Sequence, residues 1–124
     1  MSMSHATELL MWGLVCHLVA DWLLQNDWMA ANKANLRHPA AWAHGGTYAL
    51  AMALVFPWPA AALLGLAHVA IDTRKPLSWW RVRFGQIRDE SALSMVVAIW
   101  NDQALHIALM AMVAIGMAAW EKGI

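Results

Sequence analysis

Residues 68–75 read His68-Val69-Ala70-Ile71-Asp72-Thr73-Arg74-Lys75 and close an apolar run that begins near residue 60. A histidine and an aspartate four residues apart share one face of a helix. The same pairing recurs at His17 and Asp21 in HLVADWLLQ, and in reverse order at Asp102 and His106 in NDQALHIAL. With this many His and Asp residues in 124, chance alone gives about half of one such pair. All three pairs lie in or beside hydrophobic segments, where an ionisable side chain is costly and needs a partner. The chain therefore reads as all-α, an integral membrane bundle that brings the three pairs together.

Composition points the same way. Hydrophobic residues make up 61% and charged residues 13%, against about 45–50% and 25% in soluble domains. A formal net charge of zero argues against a nucleic-acid partner. The length suits a single domain spanning residues 1–124. Cys16 is the only cysteine, which excludes an internal disulfide and a zinc knuckle. No Lys or Arg precedes the first apolar run, so that run is expected to be a retained spanning helix rather than a cleaved leader. There is no Gly-rich phosphate loop, nucleophile elbow or HExxH motif.

Four apolar runs cover residues 6–24, 40–56, 60–72 and 91–119. The first matches the roughly 20 residues needed to cross a bilayer. Pro57-Trp58-Pro59 separates the second run from the third, so these two form a helical hairpin. A short interfacial helix is expected around Trp28–Ala31, and His38 before Pro39 reads as a loop residue. Seven of the eight Lys and Arg residues fall in segments 25–39 and 73–90. In a four-helix topology those segments share one side, which the positive-inside rule makes cytoplasmic, with both termini outside. The expected location is the bacterial cytoplasmic (inner) membrane, as a multi-pass protein with membrane lipid around it.

The hairpin places His44, at the start of the second helix, beside His68 and Asp72 at the end of the third. At 1.5 Å per residue, His17, Asp21, His44 and Asp72 fall within about 12 Å of the cytoplasmic boundary. Asp102 and His106 reach that layer if the long fourth helix starts outside the bilayer. His17, Asp21, His44, His68, Asp72, Asp102 and His106 then form one polar cluster. Imidazole and carboxylate together suit a divalent transition metal: Zn²⁺ first, with Fe or Mn as alternatives. Gln25 and Gln103 are placed to orient the ligands. Lys33, Arg74 and Lys75 are placed to hold an anionic group, or else serve only as topology anchors.

The ordered motifs resemble a known family, the small bacterial and phage membrane proteins of domain-of-unknown-function family 3307. The resemblance rests on His17, Asp21 and Gln25, on Lys33, on His44, on His68, Asp72 and Lys75, and on Asp102, Gln103 and His106. It implies a fold and a shared site over about residues 9–110, and little about activity. Two functions stay open. One is a metal-dependent hydrolase in which the ion activates water and an Asp takes its proton, acting on an anionic or lipid substrate. The other is a non-enzymatic membrane protein: an ion or proton conductor, or a phage-encoded modifier of the host membrane. The oligomeric state is left open.

Overall fold

The computed structural model describes residues 3–123. Six α-helices and no strand are present among them. Helix α1 (Met3–Leu18) runs into a π-helical turn (Val19–Leu23), and α2 (Asp27–Asn32) is a short crosspiece. Helices α3 (Pro39–Met52) and α4 (Trp58–Asp72) form the expected hairpin. Helix α5 (Lys75–Arg83) leads through a loop to α6 (Ala92–Glu121), the longest element. The bundle proper is α1, α3, α4 and α6, whose side chains meet in an apolar core of Leu9, Met52, Phe56, Leu64, Met110 and Ala114.

Local sequence explains most of the boundaries. Asn26 caps α2 by accepting the Met29 amide at 2.9 Å. Ser91 caps α6 by accepting the Ser94 amide at 3.2 Å. Asp89 accepts from the hydroxyl and backbone N–H of Ser91, which holds its carboxyl below the ordinary carboxylate range. His38 is more than a loop residue. Its Nδ1 accepts the Ala40 amide at 3.1 Å and caps α3, with Pro39 in the first turn, where a missing N–H costs nothing.

The hairpin breaks earlier than the apolar run suggests. Helix α3 was expected through residue 56 and stops at Met52. Pro57 has no N–H to offer the Ala53 carbonyl, and it disfavours helical geometry at Phe56. Helix α4 starts at Trp58, two residues before the expected 60, because Pro59 fits the first turn. The prolines thus begin the next helix rather than forming the turn between the two.

The hairpin helices also pack unusually closely. A Cβ placed on Gly45 would lie 2.2 Å from Val69 Cγ2, and one on Gly65 would lie 2.6 Å from Ala49 Cβ. Small residues in register let helix backbones approach in this way, and here the approach sets the spacing between His44 and His68. Gly65→Val is expected to force the hairpin apart and cost about 1–3 kcal/mol through overpacking. The check is thermal unfolding in detergent, and an unchanged melting temperature would contradict the packing account.

Two segments are long and apolar enough to cross a membrane, His5–Leu23 and Ala92–Glu121. Helix α4 is apolar but shorter. At 1.5 Å per residue the 14 residues of α3 and 15 of α4 span only about 21–23 Å, less than the roughly 30 Å hydrocarbon layer. The expectation of four full spans therefore holds here only as an all-helical fold with two candidate spans.

The exterior is largely apolar, and beside the apolar core lies a buried polar cluster. All nine tryptophans are exposed, as are Leu23, Leu50, Leu54, Leu63 and Leu66. Conversely, His17, Asp21, His44, His68, Asp72, Gln103 and His106 are buried.

Candidate metal centre

The sequence pairs meet. Asp21 Oδ1 lies 3.1 Å from His44 Nε2, which lies 2.9 Å from His68 Nε2. His68 Nε2 lies 3.1 Å from Asp72 Oδ2, and Asp72 Oδ1 is 3.9 Å from His106 Nε2. His106 Nδ1 is 3.7 Å from Asp102 Oδ2, and His17 Nε2 is 4.0 Å from Asp21 Oδ2. All seven residues expected at the site form one connected cluster, drawn from α1 with its π turn, α3, α4 and α6.

Two sets within the cluster can converge on a metal ion: Asp21, His44, His68 and Asp72, and then Asp72, Asp102 and His106. Within each set the donor atoms lie within 4.8 Å of one another. Asp72 belongs to both, offering one oxygen to each side.

Hydrogen bonds assign the histidine tautomers. Gln103 Nε2 donates to Asp21 Oδ2 and to Asp102 Oδ2, each at 3.1 Å. The amide must face the two carboxylates this way, so its Oε1 is the acceptor. That oxygen accepts from His17 Nε2 at 2.8 Å and from Trp22 Nε1 at 3.3 Å. His17 Nδ1 is then a lone pair, and the Tyr48 hydroxyl donates to it at 2.9 Å. Both nitrogens of His17 are used within the protein, and His17 belongs to neither metal-competent set. Its geometry is that of a residue that orients Gln103 and, through it, two aspartates.

His106 is different. Its Nδ1–H donates to the Asp102 backbone carbonyl at 2.8 Å. Its Nε2 is therefore a bare lone pair, buried and without a hydrogen-bond partner, as is Asp72 Oδ1 facing it. Metal-binding histidines commonly show this arrangement, with one nitrogen tied to a carbonyl and the other free for the ion. His44 and His68 create a second demand. Two Nε2 atoms 2.9 Å apart cannot both point a proton at each other, yet each also faces a carboxylate. A cation between them removes the conflict.

Charge is incompletely balanced inside the cluster. Lys33, at the end of α2, places Nζ 3.5 Å from both Asp21 Oδ1 and Asp72 Oδ1. One ammonium against three carboxylates, with neutral histidines, leaves a formal deficit that a divalent ion matches.

Beside the aspartates opens a cleft of about 650 Å³. Gln25 and Gln103 line it, with Lys33, Asp21, Asp72 and Asp102. Lys75, expected to reach an anionic ligand, is exposed outside this lining. Arg74, Arg81 and Arg88 line it instead.

Three features escaped the sequence reading. Tyr48 stacks on His68 at 3.8 Å between ring centres and bonds His17. Its position four residues after His44, on the same helix face, was the available signal. The π turn at Val19–Leu23, closed by Leu24 N–H to Val19 O at 2.9 Å, had no such signal. It adds a residue to the turn that carries Asp21, and such insertions often occur at functional sites. Arg81 and Arg88 lie near each other in sequence only as part of a charged stretch, and their place on the cleft comes from folding.

The fold and site together define a helical bundle with a polar His/Asp centre buried under an apolar exterior. The chain belongs to the family described as Protein of unknown function (DUF3307), whose sequence model matches residues 9–123. No curated protein and no solved structure is significantly similar to it.

Proposed function

We propose that this protein is a multi-pass protein of the bacterial inner membrane whose bundle holds a divalent transition-metal centre, Zn²⁺ first among Zn, Fe and Mn. The observation that carries this reading is the buried, unpartnered Nε2 of His106 facing Asp72 Oδ1, which has an ion pair with Lys33 but accepts no hydrogen bond. Asp21, His44, His68, Asp72, Asp102 and His106 would hold metal. His17, Gln103 and Tyr48 would orient them. Since Asp72 serves both sets, two ions sharing one carboxylate is the full loading. Elemental analysis of protein purified in detergent, without added metal, tests this directly. The expected result is one to two equivalents of a transition metal, reduced by His106→Ala and by His68→Ala. A chain that never carries metal would overturn the proposal.

The exposed tryptophans and leucines, with the two long apolar helices, support the membrane setting. The short hairpin would cross by local thinning of the bilayer, with basic segments 25–39 and 73–90 cytoplasmic and both termini outside. With Cys16 replaced, a cysteine placed beside Trp58 should react with an impermeant reagent from outside, and one beside Arg81 should not. The reverse pattern would sink the topology.

The chemistry that fits is hydrolysis of an anionic substrate. When bound, such an ion polarises a substrate oxygen or a water molecule. Lys33 would hold negative charge beside the carboxylates. Asp102, one-fifth exposed and lining the cleft, would use one carboxylate oxygen as a ligand and the other to take a proton from incoming water. Ion conduction is the weaker reading, because Met52, Met110, Leu64 and Phe56 close the bundle on one side of the cluster. A conducting path would need polar groups continuing through that layer.

A further inference from the structure

The cleft is lined by groups of both signs: Asp21, Asp72 and Asp102, and the cations Lys33, Arg74, Arg81 and Arg88. Arg74 and Arg88 make no ion pair among the described residues. Arg81 uses its terminal nitrogen on the Ser94 hydroxyl at 2.9 Å and on the Ile87 carbonyl, while its Nε is buried without a partner. Basic groups without a carboxylate partner in the cleft that holds a metal-competent centre suit an anion that both can share.

Arg74 is held there at a cost. It is the one described residue other than glycine with positive φ, at 65°, a conformation that an L-residue with a long side chain disfavours. The strained turn between α4 and α5 carries this guanidinium to the cleft, while Lys75 next to it stays outside.

A second depression of about 510 Å³ lies next door, between α5 and α6, lined by Leu77, Trp79, Trp80, Ala104, Leu105 and Ala108. Leu77 lines both spaces. One space is charged and faces the metal-competent aspartates. The other is apolar and runs along α6, a candidate membrane span. A free phosphate would use only the first.

We infer that the ligand of this site is a lipid phosphate, its headgroup held by the arginines and the metal centre and its acyl chain lying in the α5–α6 groove. This rests on the proposed metal centre for one half of the headgroup contact. The arginines and the groove are independent of it.

The test compares three probes on detergent-purified, metal-assayed protein: short-chain phosphatidic acid, inorganic phosphate, and phosphatidylcholine of matched chain length. Phosphatidic acid should raise the melting temperature at concentrations where the other two do not. Arg74→Gln and Arg88→Gln should each weaken its binding about tenfold, equivalent to roughly 1.4 kcal/mol. Arg74→Asn suits the left-handed backbone better, so it should weaken binding while leaving the unliganded protein at least as stable, which separates lost recognition from misfolding. Ala104→Trp fills the groove and should abolish the advantage of phosphatidic acid over phosphate. Equal responses to phosphatidic acid and phosphate would overturn the lipid assignment, as would a response to phosphatidylcholine of the same size. No response to either anion from metal-loaded protein would overturn the anion site. If elemental analysis finds no metal but phosphatidic acid still binds through Arg74, the lipid-phosphate assignment stands on the arginines and the groove, and the metal proposal falls with its half of the headgroup contact.

Discussion

Removing the metal should lower the melting temperature of the detergent-solubilised protein by about 10 °C at pH 7, and by far less at pH 5. A ligand present at about a hundred times its dissociation constant stabilises the folded state by roughly 2.7 kcal/mol. For a chain of this size that is several degrees per kcal/mol. The sign with pH follows from competition. The ion needs bare imidazole nitrogens and ionised carboxylates. Histidine takes up protons below an ordinary pKa of about 6.5, so metal-linked stability is present above that pH and fades below it. His68→Ala and Asp72→Ala should remove most of the difference between chelated and metal-loaded samples, because both residues face the Asp21–His44 side of the cluster. His5, exposed on α1, should be replaceable by Ala with the chelator effect intact. The measurement is thermal unfolding with and without chelator at both pH values. A metal-loaded protein whose melting temperature ignores chelator at pH 7 would contradict the expectation.

The second large effect concerns Lys33. Its ammonium sits 3.5 Å from carboxylates on both α4 and the π turn, and those carboxylates are almost fully buried. Removing one partner of a buried charge pair leaves the other uncompensated and costs about 3–5 kcal/mol. Lys33→Met keeps the aliphatic stem and deletes the charge. In chelator the variant should lose about that much stability. With metal present the loss should shrink to about 1 kcal/mol, because a divalent ion takes over the neutralisation of Asp21 and Asp72. Metal affinity should rise in the same variant, since the ion no longer competes with an ammonium for the two oxygens. Equal destabilisation with and without metal would mean that Lys33 and the ion do not share these carboxylates.

Much of this arrangement was written locally. The three pairs at His17/Asp21, His68/Asp72 and Asp102/His106 needed only helical periodicity to be seen as matched faces. The prolines at 57 and 59 announced a hairpin, and a hairpin by itself brings the start of α3 to the end of α4. From those two facts the meeting of His44 with His68 and Asp72 follows, and the structure places the two Nε2 atoms 2.9 Å apart. Asp102 and His106 were harder to place, because the depth at which α6 sits against α1 and α4 is a packing outcome.

The amino-acid order determined which residues are polar within apolar helices, and so which must find one another when water is excluded. It also determined the family and the all-helical class. Tertiary structure alone decided their roles. Gln103 and Tyr48 together occupy both nitrogens of His17, while a backbone carbonyl ties up only one nitrogen of His106. Those outcomes depend on tautomers, set by partners as many as 86 residues away. The α4–α5 turn likewise sent Arg74 to the cleft and Lys75 away from it, though the two are adjacent cations. Periodicity records which face of a helix a residue occupies. It does not record what stands opposite that face, and hydrogen bonding and ligation are properties of the pair.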